Sequence, residues 1–385
     1  MVRAGLTGAG LALLAGSALV AARQGLGTYA GDGFLDLGIY RDAVATWWGG
    51  SSPYDVAFTD GLQFNYPPSS LVLLSPLTIG PRGLVGVVLV AVGSVLLWLA
   101  CRWSMRSLSA PAIAVIAGLL AMSEPVQMTW AYGQVDVLVL AAVAAALVRP
   151  TVRADGPLLG AAAGLKLLPV TFLLVPALQR RWRAVAVALL TAGVLAALAL
   201  ARVPSMLGDY VDQLRSGAVV IRPVDEGHNV SWRGFLGWAF GRNSATVPWL
   251  AVAVVLGLLG LLTVVRATRR GDLVAGVSTM ALLGLLLSPV TWTHHWVWVA
   301  VVLGTALPAW RSPRAVDRAH LVATLALAAA TLAWVPSWFP NPDHTYGTEG
   351  LRWLSAYSYV LLGTVVLVTL ALRVRADARA VAADA

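Results

Sequence analysis

The sequence predicts an all-α, polytopic integral membrane protein, and three observations carry that prediction. Of its 385 residues, 58% are hydrophobic and 12% charged, with a mean hydropathy of +0.77, far outside the range of soluble globular domains. Apolar runs of about 16 to 22 residues recur from residue 6 to residue 373, long enough to cross a ~30 Å hydrocarbon core as helices. The basic residues, finally, are sorted by connection. Arg102 and Arg106; Arg149 and Arg153; Arg180, Arg181 and Arg183; Arg266, Arg269 and Arg270; Arg311, Arg314 and Arg318; and Arg373, Arg375 and Arg379 sit in short connections, as cytoplasmic loops of a multi-pass protein should. The net charge of +9 is therefore spread over loops rather than gathered in one patch, which argues against nucleic acid as a partner. A β-barrel would need short alternating segments, and none is visible.

Taken in order, the elements divide the chain into inner and outer parts. GLTGAGLALLAGSALVAA reads as a first helix retained in the membrane, although it has the flavour of a signal peptide. Segments 25–68, 123–134, 203–247, 288–295 and 336–352 then fall outside the bacterial cytoplasmic membrane, and both termini fall in the cytoplasm. Residues 69–101 must cross an odd number of times and 157–179 an even number. Pro67, Pro68, Pro76 and Pro81 break the first stretch, and Pro157, Pro169 and Pro176 the second, so short, broken or re-entrant helices are expected there. The total comes to about 10 to 12 transmembrane helices. The whole of 1–385 reads as one transmembrane domain, with 25–68 the first external loop and 203–247 the longest. Its single cysteine, Cys101, excludes an intrachain disulfide.

Groups able to do chemistry gather in the outer segments. FLDLGIYRDAVATWWGGSSPYD, residues 34–55, places Asp36, Asp42 and Asp55 among aromatic residues. Helical spacing puts Asp36, Ile39 and Tyr40 on one face. A carboxylate near a low dielectric has a raised pKa unless paired, which suits a general base; the same position also suits a helix N-cap. In FNYPPSS, Tyr66 before two prolines reads as an extended lead into a helix and an interfacial anchor. SEPVQMTWAYGQVDVLVL sets Glu124, Gln127, Gln134 and Asp136 at the two ends of an external turn, as ligand contacts or, for Asp136, as a cap favoured by the helix dipole.

Lys166, in GAAAGLKLLPV, is the sole lysine among 27 basic residues and lies within an apolar segment. Charges inside a membrane are costly and by default functional, and a compact ammonium suits the phosphate of a membrane lipid; snorkelling to the interface is the structural alternative. EGHNVSWRGF offers Asn229, Ser231 and Arg233, either for hydroxyl or phosphate recognition or as a loop-ordering network. LSPVTWTHHWVWV brings His294 and His295 to the outer mouth of two helices. Adjacent histidines point in different directions on a helix and no carboxylate lies at helical spacing, so no metal site is expected. No phosphate-binding loop, dinucleotide fingerprint or nucleophile elbow is present.

DLGIYRDAVATWWGGSSPYD, FNYPPSSLVLLSPL, YGQVDVLVLAAVAAAL, GLKLLPVTFLL, HNVSWRGF and SPVTWTHHWVWVA, in this order over residues 36 to 299, resemble the blocks of glycosyltransferase family 87. These are actinobacterial polyprenol-phosphate-mannose-dependent alpha-1,2-mannosyltransferases of the GT-C class. The resemblance implies a GT-C fold and a catalytic Asp near the start of the first external loop, the position of Asp36. That carboxylate would deprotonate the acceptor hydroxyl as it attacks the anomeric carbon of polyprenyl phosphate mannose, with inversion. Lys166 with His294 or His295 would hold the departing phosphate, without a metal or other cofactor. Tyr40, Glu124, Gln134, Asp136, Asn229, Ser231 and Arg233 would meet sugar or acceptor, a lipid-anchored glycan. The chain departs from the family's Asn-Gln-Ser pattern at Val230, which leaves the acceptor open. Transfer of another polyprenyl-phosphate sugar such as arabinofuranose, and non-catalytic transport of a lipid-linked sugar, are the alternatives.

Overall fold

The computed structural model describes residues 2–27, 33–149, 155–216, 228–241, 243–340 and 347–383. Residues 28–32, 217–227 and 341–346, within three of the segments expected outside, and Arg153 lie outside the described residues. The regular elements among the described residues are helical, and Ala57 and Gln63 form an isolated β-bridge, in keeping with the all-α expectation.

The chain opens with α1 (Val2–Gly27), α2 (Leu35–Trp48), the short α3 (Ser69–Leu74) and α4 (Arg82–Ser104). It continues through α5 (Ala110–Ala121), α6 (Glu124–Tyr132), α7 (Asp136–Leu147), α8 (Asp155–Leu165), α9 (Leu174–Leu178) and α10 (Trp182–Arg202). Beyond these come α11 (Met206–Ser216), α12 (Trp232–Phe240), α13 (Thr246–Arg269), α14 (Leu273–Leu287) and α15 (Val299–Val302). The last helices are α16 (Ala315–Leu332), α17 (Trp353–Ala356) and α18 (Ser358–Ala383).

Six helices among the described residues are long and apolar enough to cross a membrane: α1, α4, α10, α13, α16 and α18. A seventh span arises if α5 and α6, bent by 67° at Met122–Ser123, count as one. Ser69–Thr78, α7, Leu168–Leu178 and α14 are apolar but shorter. Long helices alone thus fall short of the roughly 10 to 12 crossings the length arithmetic gives. Proline explains much of the difference. After α8 the chain breaks at Lys166, tightens into a 3-10 turn over Leu168–Leu173 that begins around Pro169, and resumes as α9 around Pro176. Lacking an N–H, a proline cannot continue a helix without breaking its bonding. The interruption expected within 157–179 is present, and the one within 69–101 falls between α3 and α4.

Helices meet where side chains are small. A Cβ on Gly10 would lie 2.4 Å from the Ala114 carbonyl carbon, and one on Gly118 would lie 2.7 Å from the Gly10 oxygen, so α1 and α5 touch backbone to backbone. Lipid gives helices no hydrophobic reason to associate, and such close packing is what remains. At the end of the bundle remote from α16's C-terminus, Asp317 is buried, bound to Arg314 at 2.6 Å and Arg373 at 3.3 Å. His320, one turn on, sits between the Thr305 and Thr369 hydroxyls at 2.8 and 3.1 Å. This network ties α16 to α18.

One feature of the packing aims α2. Phe34, fully buried, precedes the helix in a left-handed conformation with φ of 50°. Its ring fits between Gly25 of α1 and Gly86 of α4, where any Cβ would come within 2.3 Å of it. Along the helix, the Arg41 guanidinium donates to the Leu77 and Gly80 carbonyls at 2.6 and 2.9 Å, and Trp47 Nε1 donates to the Ala199 carbonyl of α10 at 3.0 Å. Helix α2, with Asp36 in its first turn, is therefore anchored at its start and along its length.

Candidate active site

Seven of the residues singled out in the sequence, Asp36, Tyr40, Glu124, Gln134, Lys166, His294 and His295, line one cavity of about 590 Å³. Asp36 occupies the first turn of α2 and makes no capping bond, since Phe34 holds the N-cap position. Its carboxylate Oδ2 accepts a hydrogen bond from Gln134 Nε2 at 2.8 Å. Gln134 reaches it because Gly133 ends α6 with φ of +72°, a conformation that favours glycine, and a Cβ there would lie 2.7 Å from Leu37 Cβ. Burial pushes the Asp36 pKa up from 3.8 to about 7; the Gln134 hydrogen bond and the Lys166 charge act downward, and the Asp136 charge upward. A carboxyl group poised near neutrality suits proton abstraction from a hydroxyl.

Lys166 does not snorkel. At the break between α8 and the 3-10 turn its ammonium bonds Asp136 Oδ1 at 2.5 Å and lies 5.2 Å from the centre of the Tyr66 ring. Asp136 opens α7 and makes no cap of its own; it acts instead as counter-ion to Lys166 from behind the cavity wall.

His294 and His295 lie on the 3-10 turn Thr293–Trp298, which packs against α6. The Trp292 N–H donates to His295 Nδ1 at 3.3 Å, which leaves a neutral ring its proton on Nε2. Burial and the nearby Lys166 push the His295 pKa down to about 4, and that of His294 falls for the same reasons and because of His295. Both rings are thus neutral at physiological pH. Expected to make a poor metal pair, they converge with Asp136, one ligand atom from each residue lying within 4.8 Å of the others. Spacing along one helix could not reveal this, because the carboxylate comes from α7. The Lys166 ammonium already neutralises that carboxylate. Among the described residues, Asp136 Oδ2 and His294 Nε2 are buried without a hydrogen-bond partner.

Glu124 accepts hydrogen bonds from the Ser337 hydroxyl at 2.5 Å and the Tyr359 hydroxyl at 2.7 Å, which join α6 to the C-terminal helices. Ser337 and Tyr359 lie beyond the stretch that carries recognisable motifs, and no pattern in the sequence marks them. Tyr66 was also missed: expected as an anchor, it lines the cavity and donates to Gln134 Oε1 at 2.9 Å. Its place immediately before a Pro-Pro pair was the available signal.

Asn229, Ser231 and Arg233 stand apart from the cavity lining. The Asn229 amide donates to the Pro289 carbonyl at 2.9 Å, while its oxygen accepts from the Thr291 N–H at 3.0 Å and the Ser231 hydroxyl at 2.9 Å. Ser231 caps α12, accepting from the Gly234 N–H at 3.2 Å. Arg233 lies over the Trp249 ring at 5.9 Å. Val230 is fully buried. Asn229 and Ser231 thus form the loop-ordering network, and it secures the strand of chain leading into the histidine turn. Ser231→Ala should cost about 1 kcal/mol through the lost cap and leave turnover essentially unchanged, as thermal melts beside activity assays would show.

Ionisable groups from separate helices thus line one cavity of a helical protein with several candidate membrane spans. The chain belongs to glycosyltransferase family 87, whose sequence model matches residues 64–289; it is a membrane glycosyltransferase. A polyprenol-phosphate-mannose-dependent alpha-(1-2)-phosphatidylinositol pentamannoside mannosyltransferase of Mycolicibacterium smegmatis is 28% identical over 350 residues, 88% of this chain and 85% of its own. Its Mycobacterium tuberculosis namesake is 29% identical over 284 residues, 71% of this chain and 66% of its own. A phosphatidylinositol mannoside mannosyltransferase of Mycobacterium tuberculosis with the same donor dependence is 28% identical over 375 residues, 89% of this chain and 85% of its own. No solved structure gives a significant match.

Proposed function

We propose that this glycosyltransferase moves mannose from polyprenyl phosphate mannose to a phosphatidylinositol mannoside, forming an alpha-1,2 linkage with inversion. The observation that carries the reading is the placing of Asp36 and Lys166 on one cavity, a base and a cation for the two ends of a single displacement. The acceptor oxygen attacks the anomeric carbon while Asp36 removes its proton. The bond from that carbon to the phosphate oxygen breaks, and polyprenyl phosphate departs with the electron pair. Lys166 and the His295 Nε2–H stabilise the charge it gains. Leu167 and Leu168, both on the cavity wall, are 54% and 37% exposed. They give the donor's isoprenoid chain an apolar path from the bilayer to Lys166. Relatives with this donor and acceptor class support the assignment.

In this reading the long spans and the short broken helices together make up the roughly 10 to 12 crossings of a GT-C body. The arginine-rich connections face the cytoplasm with both termini, and the cavity opens on the extracytoplasmic side. Asp36, as base, must be ionised to act. We therefore expect kcat/KM to rise about tenfold per pH unit below neutrality and to level off above about pH 7.

The reading is tested with purified protein, radiolabelled polyprenyl phosphate mannose and phosphatidylinositol mannosides. A labelled lipid from which a linkage-specific alpha-1,2-mannosidase releases the labelled mannose supports it. Label accepted only from polyprenyl phosphate arabinose, or a product that resists the mannosidase, overturns it.

A further inference from the structure

Gln134 lies at the meeting point of three polar side chains. Its Oε1 accepts from the Tyr40 hydroxyl at 2.5 Å and the Tyr66 hydroxyl at 2.9 Å, and its Nε2 donates to Asp36 Oδ2 at 2.8 Å. The two phenol oxygens are themselves 2.7 Å apart, with their rings edge to face at 5.1 Å. Each phenol has one proton to give. Whichever way the Tyr40–Tyr66 bond runs, at least one hydroxyl is left to donate to Oε1. Turned the other way, the amide would set its oxygen against a carboxylate oxygen, leaving both without a proton between them. The network is therefore matched to an Asp36 whose Oδ2 carries no proton.

We propose that Gln134, held by Tyr40 and Tyr66, is a positioning residue for the catalytic carboxylate: it occupies Oδ2 of Asp36 and keeps Oδ1 turned to the acceptor hydroxyl. The sequence pointed to Gln134 and Tyr40 as sugar contacts; their hydrogen bonds are directed at the base instead. The inference rests on Asp36 being that base. It also predicts that Gln134 tunes the acidity of Asp36, because a hydrogen bond to the charged form favours that form.

Other charged and titratable groups surround α2. Lys166 faces it across the cavity with Asp136 paired behind it, and His294 and His295 lie on the histidine turn. Glu124 stands on α6, Arg82 on α4 and Asp55 beyond the end of α2, which itself carries Arg41 and Asp42. Lys166 favours the ionised form of Asp36 and Asp136 opposes it. The hydrogen bond that Asp36 receives comes from Gln134.

Gln134→Leu should move the ascending limb of the kcat/KM profile upward by about one pH unit, with activity recovering as the pH is raised. The Tyr40→Phe/Tyr66→Phe double variant, which frees the amide to turn, should move it the same way by less. A second readout needs no substrate: carbodiimide labels a protonated carboxyl group, and the pH midpoint of Asp36 labelling, read by mass spectrometry, should rise in both variants. A loss uniform across pH with an unmoved limb and an unmoved labelling midpoint would overturn the proposal and leave Gln134 a sugar contact or a packing residue. Asp36→Asn separates the two levels. If it keeps wild-type activity, the base assignment itself has failed; if it is inactive while Gln134→Leu shows no shift, only the positioning role has.

Discussion

Asp36→Asn is expected to lower kcat for mannosyl transfer by about 10³-fold, within the 10² to 10⁴ that a positioned proton acceptor contributes, while the donor still binds. The substitution keeps the shape of the side chain and an oxygen able to accept from Gln134, and it leaves untouched the Phe34 seat that aims α2. What it removes is the capacity to take a proton. Linkage makes the stability side of the prediction definite. The folded-state pKa of Asp36 is raised from 3.8 to about 7, so between those values the folded chain binds a proton more readily than the unfolded chain. Acidification through that window therefore stabilises the wild type through this group, and above pH 7 the buried charge is a burden. The Asn variant should accordingly melt no lower than wild type at pH 8, and inactivity together with an intact melt would assign the loss to chemistry. Equal activity in the two proteins would remove Asp36 from the reaction.

Lys166→Met is the second substitution with a large expected effect, and it acts through two routes. Loss of the cation proposed to face the departing phosphate should reduce kcat/KM by about 10² to 10³, the magnitude of removing one preorganised charge-stabilising group. The same change leaves the Asp136 carboxylate buried without its counter-ion, at a cost of about 3 to 5 kcal/mol. A single variant could thus fail for want of folding. Lys166→Met combined with Asp136→Leu removes both charges and should regain most of the lost thermal stability while remaining inactive. If the double variant transfers mannose at the wild-type rate, Lys166 serves only as the partner of Asp136.

These two residues were also the most legible parts of the site. Asp36 heads a stretch where helical spacing aligns it with Ile39 and Tyr40, and all three line the cavity. Lys166 stood out because a sole lysine in an apolar, proline-broken segment needs a reason to be there, and its ion pair with Asp136 supplies it. The helical membrane class followed from composition and run length. Less could be read of the number of crossings, since a helix broken at Lys166 or bent at Met122 keeps its hydropathy and loses its length.

What stayed hidden depends on contacts distant in the chain. Tyr359 and Ser337 reach Glu124 from more than two hundred residues away. The approach of Asp136 to the histidine turn joins α7 to a segment that follows α14. Asn229 and Ser231, for which the sequence left both binding and loop ordering open, show the converse. Side chains with the chemistry to bind sugar satisfy backbone groups of a loop instead, and residue type alone does not distinguish the two uses.

The central claim is a single displacement in which Asp36 activates the acceptor and polyprenyl phosphate leaves. It is tested most directly by a single-turnover assay of purified enzyme with doubly labelled polyprenyl phosphate mannose and phosphatidylinositol mannosides, in which mannosylated lipid and free polyprenyl phosphate are counted together. The account predicts that the two appear in equal amounts and at the same rate in the wild type, and that both are lost in Asp36→Asn. Polyprenyl phosphate released ahead of the mannosylated lipid, or equal product from the Asn variant, would contradict it.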